Sequence, residues 1–74
     1  MTEIQAKAKL DAIEKRVLAA NQRSMAAAYQ RQSEHPIYPG QELICLDKAN
    51  QVLNLAVQND ATADLILIKA GLEV

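Results

Sequence analysis

The sequence predicts an all-α fold. It reads as an antiparallel helical hairpin, with a long helix over about 2–32, a turn at 33–40 and a second helix over about 41–59, followed by a short C-terminal helix at about 61–70. Apolar residues recur at helical spacing on both sides of the middle of the chain. Between those stretches "SEHPIYPGQ" gathers both prolines, the only histidine and one of the two glycines. After Asp60 a third apolar stretch carries its own start and stop signals. Seventy-four residues make one small domain, 1–74.

The first helix opens on Thr2 and Gln5, the spacing of a capping box, with Glu3 in the first turn. Glu3, Lys7, Asp11 and Lys15 alternate in sign at every fourth residue, which marks a water-facing ladder. Ala6, Leu10, Ile13, Val17, Ala20, Ser24 and Ala27 fall on a 4-3 repeat, flanked by Leu18 and Met25. That repeat predicts a seam packed against another helix at a shallow angle. The stretch Asn21–Ser24 is the weakest helix former and a candidate bend.

Pro36 and Pro39 disfavour helix at His35 and Tyr38, and Gly40 tolerates the backbone angles a reversal needs. The stretch therefore reads as a hinge. His35, Cys45, Tyr29 and Tyr38 lack the spacing of a nucleophile with its base. In the second helix Cys45, Leu46, Ala49, Val52, Leu53 and Ala56 share a face, with Leu43 and Val57 at its margins and Ile44 and Leu55 off it. Cys45 lies within the stripe, as a small buried hydrophobe with an inert thiol. The third element takes Asp60 or Thr62 as its cap, Asp64 in its first turn, Lys69 in its last and Gly71 as terminator. Its run Leu65–Ile68 also suits a strand, but the end signals favour a helix.

At about 1.5 Å per residue the first helix is roughly 45 Å long and the second roughly 28 Å. A hairpin of these two leaves the N-terminal part of the first uncovered. The apolar surface then exceeds the cover the chain provides. Ile4, Leu10, Ile13 and Val17, the off-stripe Ile44 and Leu55, and the run Leu65, Ile66, Leu67 and Ile68 are the expected protein-binding residues.

Composition excludes several functions. Thirteen of the 37 hydrophobic residues are alanine, and there is no Phe or Trp. One cysteine precludes an internal disulfide, and no metal-ligand spacing, glycine-rich phosphate loop or catalytic motif is present. The chain is expected to be no enzyme and to need no cofactor. Net charge is −1, with a modest basic excess before residue 36 and an acidic one after it. This is far from the basic stripe that nucleic acid requires. "MTEIQAKAKL" has no apolar core of a secretion signal, and "LILI" is too short to span a bilayer. A cytoplasmic chain with no membrane span is expected.

The stretch "YPGQELICLDKANQVLNLAVQN", residues 38–59, resembles the second helix of the small co-chaperones of type III secretion needle subunits. Pro39 and Gln41 match the entry to that helix, and Leu46, Ala49, Leu53 and Ala56 match its apolar and alanine positions. The resemblance implies a two-helix hairpin and a cytoplasmic, non-catalytic role in virulence. In that family the chain pairs with a tetratricopeptide-like co-chaperone, and together they keep the needle subunit from polymerising early. The apolar segment 61–72 departs from a plain hairpin. Two other readings compete. One is a self-associating scaffold of the phage type, a homo-oligomer when alone, covered by copies of itself. The other is a small DNA-binding regulator, which the acidic C-terminal half disfavours.

Overall fold

Thr2 starts the first helix as its spacing with Gln5 predicts. The Thr2 hydroxyl accepts the Gln5 N–H at 3.1 Å, and the Gln5 side-chain oxygen accepts the Thr2 N–H at 3.2 Å. From there, in the computed structural model, which describes residues 1–73, the chain forms helix α1 (Glu3–Glu34) and helix α2 (Gln41–Lys69). The two lie antiparallel in a rod of 55 × 13 × 13 Å. The expected all-helical hairpin is present, and no strand occurs among the described residues.

Between the helices the backbone leaves helical angles at His35, as the following proline requires. Gly40 has φ 90° and ψ −12°, the third-residue angles of a type II turn. The turn is closed by the Gln41 N–H on the Tyr38 carbonyl at 3.2 Å. Gln41 also uses its side-chain oxygen to accept the Ile37 N–H, which ties the loop to the first turn of α2. A Cβ at Gly40 would meet nothing within 4 Å, so the cost of a side chain there is purely conformational. Gly40→Ala is therefore expected to destabilise the hairpin by about 1–2 kcal/mol, read as a lower urea midpoint with unchanged helix content.

The expected break near residue 60 does not exist, and helices 41–59 and 61–70 are one. Asp60 and Thr62 resemble caps in sequence but sit inside α2. The Asn59 amide donates to the Gln22 side-chain oxygen at 2.8 Å. Asp60 faces Arg16 and Arg23, and Thr62 returns its hydroxyl to the Gln58 carbonyl at 2.9 Å. Each cap former is occupied without the chain turning. The predicted terminator holds: Gly71, at φ 75°, donates to Ile68, and Leu72 donates to Leu67 at 2.9 Å. This pair is the Schellman arrangement, and Leu72 folds back onto the core around Leu67.

The core is built from the smallest side chains. Ala12, Ala19 and Ala26 on α1 and Ala49, Ala56 and Ala63 on α2 are buried, each set at a strict seven-residue step. Ala8, Cys45 and Leu67 complete it. Alanine on both sides lets the two backbones approach closely, gaining many weak dispersion contacts. A row of identical alanines does not define its own register. The Gln22–Asn59 pair, the contacts of Arg16 and Arg23 with Asp60, and Arg16 on Asp64 at 2.8 Å supply that definition.

This overturns the expected seam on α1. The stripe Ala6–Leu10–Ile13–Val17–Ala20–Ser24–Ala27 does not face α2: Leu10, Ile13 and Val17 are 62%, 54% and 53% exposed. The seam lies about 100° away on the helix, one residue earlier, through Ala12, Ala19 and Ala26. Asp11 and Lys15, expected on the wet face, are half-buried beside it. On α2 the expected stripe largely holds, through Cys45, Ala49, Val52, Leu53 and Ala56, while Leu46 is exposed.

Candidate docking faces

The hairpin has two unlike edges, set by what flanks the alanine seam. One edge carries Arg16 and Arg23 from α1 and Asp60 from α2, with Asp64 beside them. The basic first half and acidic second half of the sequence thus meet across this solvent-facing edge. The opposite edge carries Lys48 over the Tyr29 ring at 5.8 Å. One heptad from Lys48 comes Leu55, and Leu18 and Met25 run along the α1 side; all three are about half exposed.

An outer face of α1, about 100° around the helix from the seam, is also apolar. Ala6, Leu10, Ile13, Val17 and Ala20 continue the 4-3 spacing there with no described residue over them. α1 therefore carries two heptad tracks, an inner one of alanine that closes the hairpin and an outer one of larger aliphatics that does not. At the open end, Gln5 links cap and partner helix: its amide nitrogen donates to the Ala70 carbonyl at 3.2 Å. Beside it a shallow groove of about 490 Å³ is lined by Ile4, Lys7, Ala8, Asp11, Ile66, Lys69 and Ala70.

The expected binding residues divide accordingly. Leu10, Ile13 and Val17 share the outer track, and Ile4 borders the groove. Ile44, Leu55, Leu65 and Ile68 are also exposed, at 47–57%. Leu67 is a correction, buried at 8% in a cluster with Ala12 and Ala63, with Ile66 half-buried against it. Those two serve the hairpin itself because α2 is long enough to bring them over the start of α1. The shortfall of cover expected from unequal helix lengths is absent for the same reason: with 29 residues against 32, α2 covers α1 nearly end to end. The outer stripe is exposed because α1 is rotated, not because α2 is short. Leu18 and Met25, expected only as seam flanks, belong with the exposed apolar set.

Cys45 is buried in the seam with its thiol 3.8 Å from the Gln32 side-chain oxygen. His35 is exposed in the turn, and its backbone N–H donates to the Gln32 carbonyl at 3.2 Å. No group of three His, Cys, Asp or Glu among the described residues could hold a metal ion. No described helix is long and apolar enough to cross a membrane. Comparison of the chain with protein-family models, with curated proteins and with solved structures finds no match.

Proposed function

We propose that this chain is a non-enzymatic protein-binding module, a self-closed hairpin that lends the outer stripe of α1 to an apolar helix of another protein. The observation that carries the reading is the second heptad track, Leu10, Ile13 and Val17, left exposed by a hairpin already closed through Ala12, Ala19 and Ala26. Those side chains contribute little to the seam and lower solubility. Total exposed surface points the same way. It is 5341 Å² for an 8.1 kDa chain, against roughly 4,500 Å² for a compact monomer of that mass. The surplus goes with the elongated 55 × 13 × 13 Å rod, which leaves the outer faces of both helices uncovered.

In its most specific form the proposal is a cytoplasmic co-chaperone of type III secretion. It would pair with a tetratricopeptide-like protein and shield a needle subunit from early polymerisation. The helical hairpin and the Pro39–Gln41 entry into α2 support that form. A needle subunit assembles through apolar helix faces, and a heptad track of aliphatics is suited to covering one.

Co-expression with such a pair of proteins, followed by purification on the partner's tag, tests the proposal. The parent chain is expected to co-purify at fixed stoichiometry. The double variant Leu10→Asp/Ile13→Asp is expected to keep its helix content and lose affinity by at least about 30-fold, as the loss of a buried apolar anchor does. A variant that binds as well as the parent would show the stripe not to be the docking face. A parent chain that ignores both proteins would remove the co-chaperone form.

A further inference from the structure

We infer that, without its partner, the outer stripe of α1 pairs with the same stripe of a second copy, antiparallel, with Leu10 against Ile13 of the second copy. This rests on the reading of that stripe as a docking face and adds a regulation of it: self-pairing and partner binding exclude one another.

The stripe is self-complementary when reversed. About a two-fold axis between residues 11 and 12, Leu10 meets Ile13 of the second copy and Ala6 meets its Val17, so the small Ala6 faces a larger side chain. Parallel pairing instead stacks Ala6 on Ala6 and leaves a gap, which a close-packed interface disfavours. Charge then selects the register. Lys7 and Glu14 flank the stripe on the side away from the Arg–Asp edge, and in this register each Lys7 faces Glu14 of the second copy, twice by symmetry. A shift of one heptad still joins apolar residues, Ile13 with Val17, but sets Glu14 against its own copy. On the other flank Arg16, which would lie near Lys9 of the second copy, is already neutralised by Asp60 and Asp64.

The interface is small. In this register the apolar overlap runs over residues 6–17, about 12 helical residues and roughly 18 Å, which belongs with weak, exchangeable contacts rather than obligate ones. The expected state is a monomer–dimer equilibrium that shifts with concentration and is displaced by the partner.

Sedimentation equilibrium of the full chain over a wide concentration range reads this out. The parent is expected to dimerise. Glu14→Lys is expected to weaken the dimer by roughly threefold to tenfold, since it turns two exposed attractions into repulsions. The swap Lys7→Glu/Glu14→Lys is expected to restore it, with thermal unfolding of each variant recorded to show an intact hairpin. Ile13→Asp should leave a monomer. A parent that stays monomeric overturns the inference while leaving partner docking intact, because docking is read separately by co-purification. A dimer indifferent to Glu14→Lys, or one the swap does not rescue, overturns the assigned face or register. The parallel arrangement, which sets Lys9 against Glu14, predicts no rescue by Lys7→Glu.

Discussion

Ala19→Asp is expected to abolish cooperative folding of the hairpin, whereas Ala20→Asp, one residue along, leaves it folded. Ala19 is 0% exposed and lies one heptad from Ala12 and from Ala26. A carboxylate placed there must be buried between the two helices, out of reach of bulk water. Burying an unpaired charge costs several kcal/mol, against the roughly 3–5 kcal/mol that a core of this size supplies. Ala20 faces away from α2 and is exposed, so aspartate there remains hydrated.

Ala56→Leu is a milder version of the same test. Overpacking the seam should cost about 1–3 kcal/mol, which lowers the melting temperature by some 4–8 °C per kcal/mol. Thermal denaturation followed by far-ultraviolet circular dichroism reads all three variants. Equal effects at residues 19 and 20 would show that the seam is misplaced, and the reverse order would restore the Leu10–Ile13–Val17 stripe as the internal one.

The second large effect is expected at Leu67. It is the one large aliphatic among the buried residues, at 8% exposure, and it joins Ala12 and Ala63 while Ile66 and Leu72 pack on the same cluster. Leu67→Ala should cost about 2–4 kcal/mol, because the alanines around it cannot move in to fill the space. Its neighbours Leu65 and Ile68 are 54% and 57% exposed. Alanine at either should change stability by no more than about 0.5 kcal/mol. Urea titration of the three variants measures this. Uniform losses across Leu65, Leu67 and Ile68 would mean that the whole run is core; no loss at Leu67 would mean that the end of α2 does not pack on α1 as described.

Much of this molecule was legible in local chemistry. The Thr2–Gln5 cap, the departure from helix before Pro36, the Gly40 turn and the Gly71 terminator are each decided by a few adjacent residues. The face of α2 was legible too, because Cys45, Ala49, Val52 and Ala56 recur at helical spacing on one side. The fusion of the second and third helices was not. A residue such as Asp60 has the same identity whether it caps a helix or pairs with two arginines across a hairpin, and only the position of Arg16 and Arg23 separates the cases.

The seam of α1 was misplaced for a related reason. Its inner track reads Gln5, Ala8, Ala12, Lys15, Ala19, Gln22 and Ala26, which looks polar and weak beside Leu10, Ile13 and Val17. The signal that could have found it was the shared seven-residue alanine step, Ala12–Ala19–Ala26 on one helix and Ala49–Ala56–Ala63 on the other. Exposure of the candidate docking residues came out as expected on α1 but from rotation rather than from unequal helix lengths. Ile66 and Leu67, expected on the outside, were drawn onto the core by the length of α2.

By itself the sequence determined where the first helix starts, where the chain reverses and where the last helix ends, because capping, proline and glycine act over one turn of backbone. Only the tertiary structure decided which of two heptad tracks on α1 turns inward. That choice depends on the fit between two helices, where alanine against alanine allows close approach and Gln22, Asn59, Arg16, Arg23 and Asp60 hold the register. Such a fit belongs to the pair, and neither helix expresses it alone.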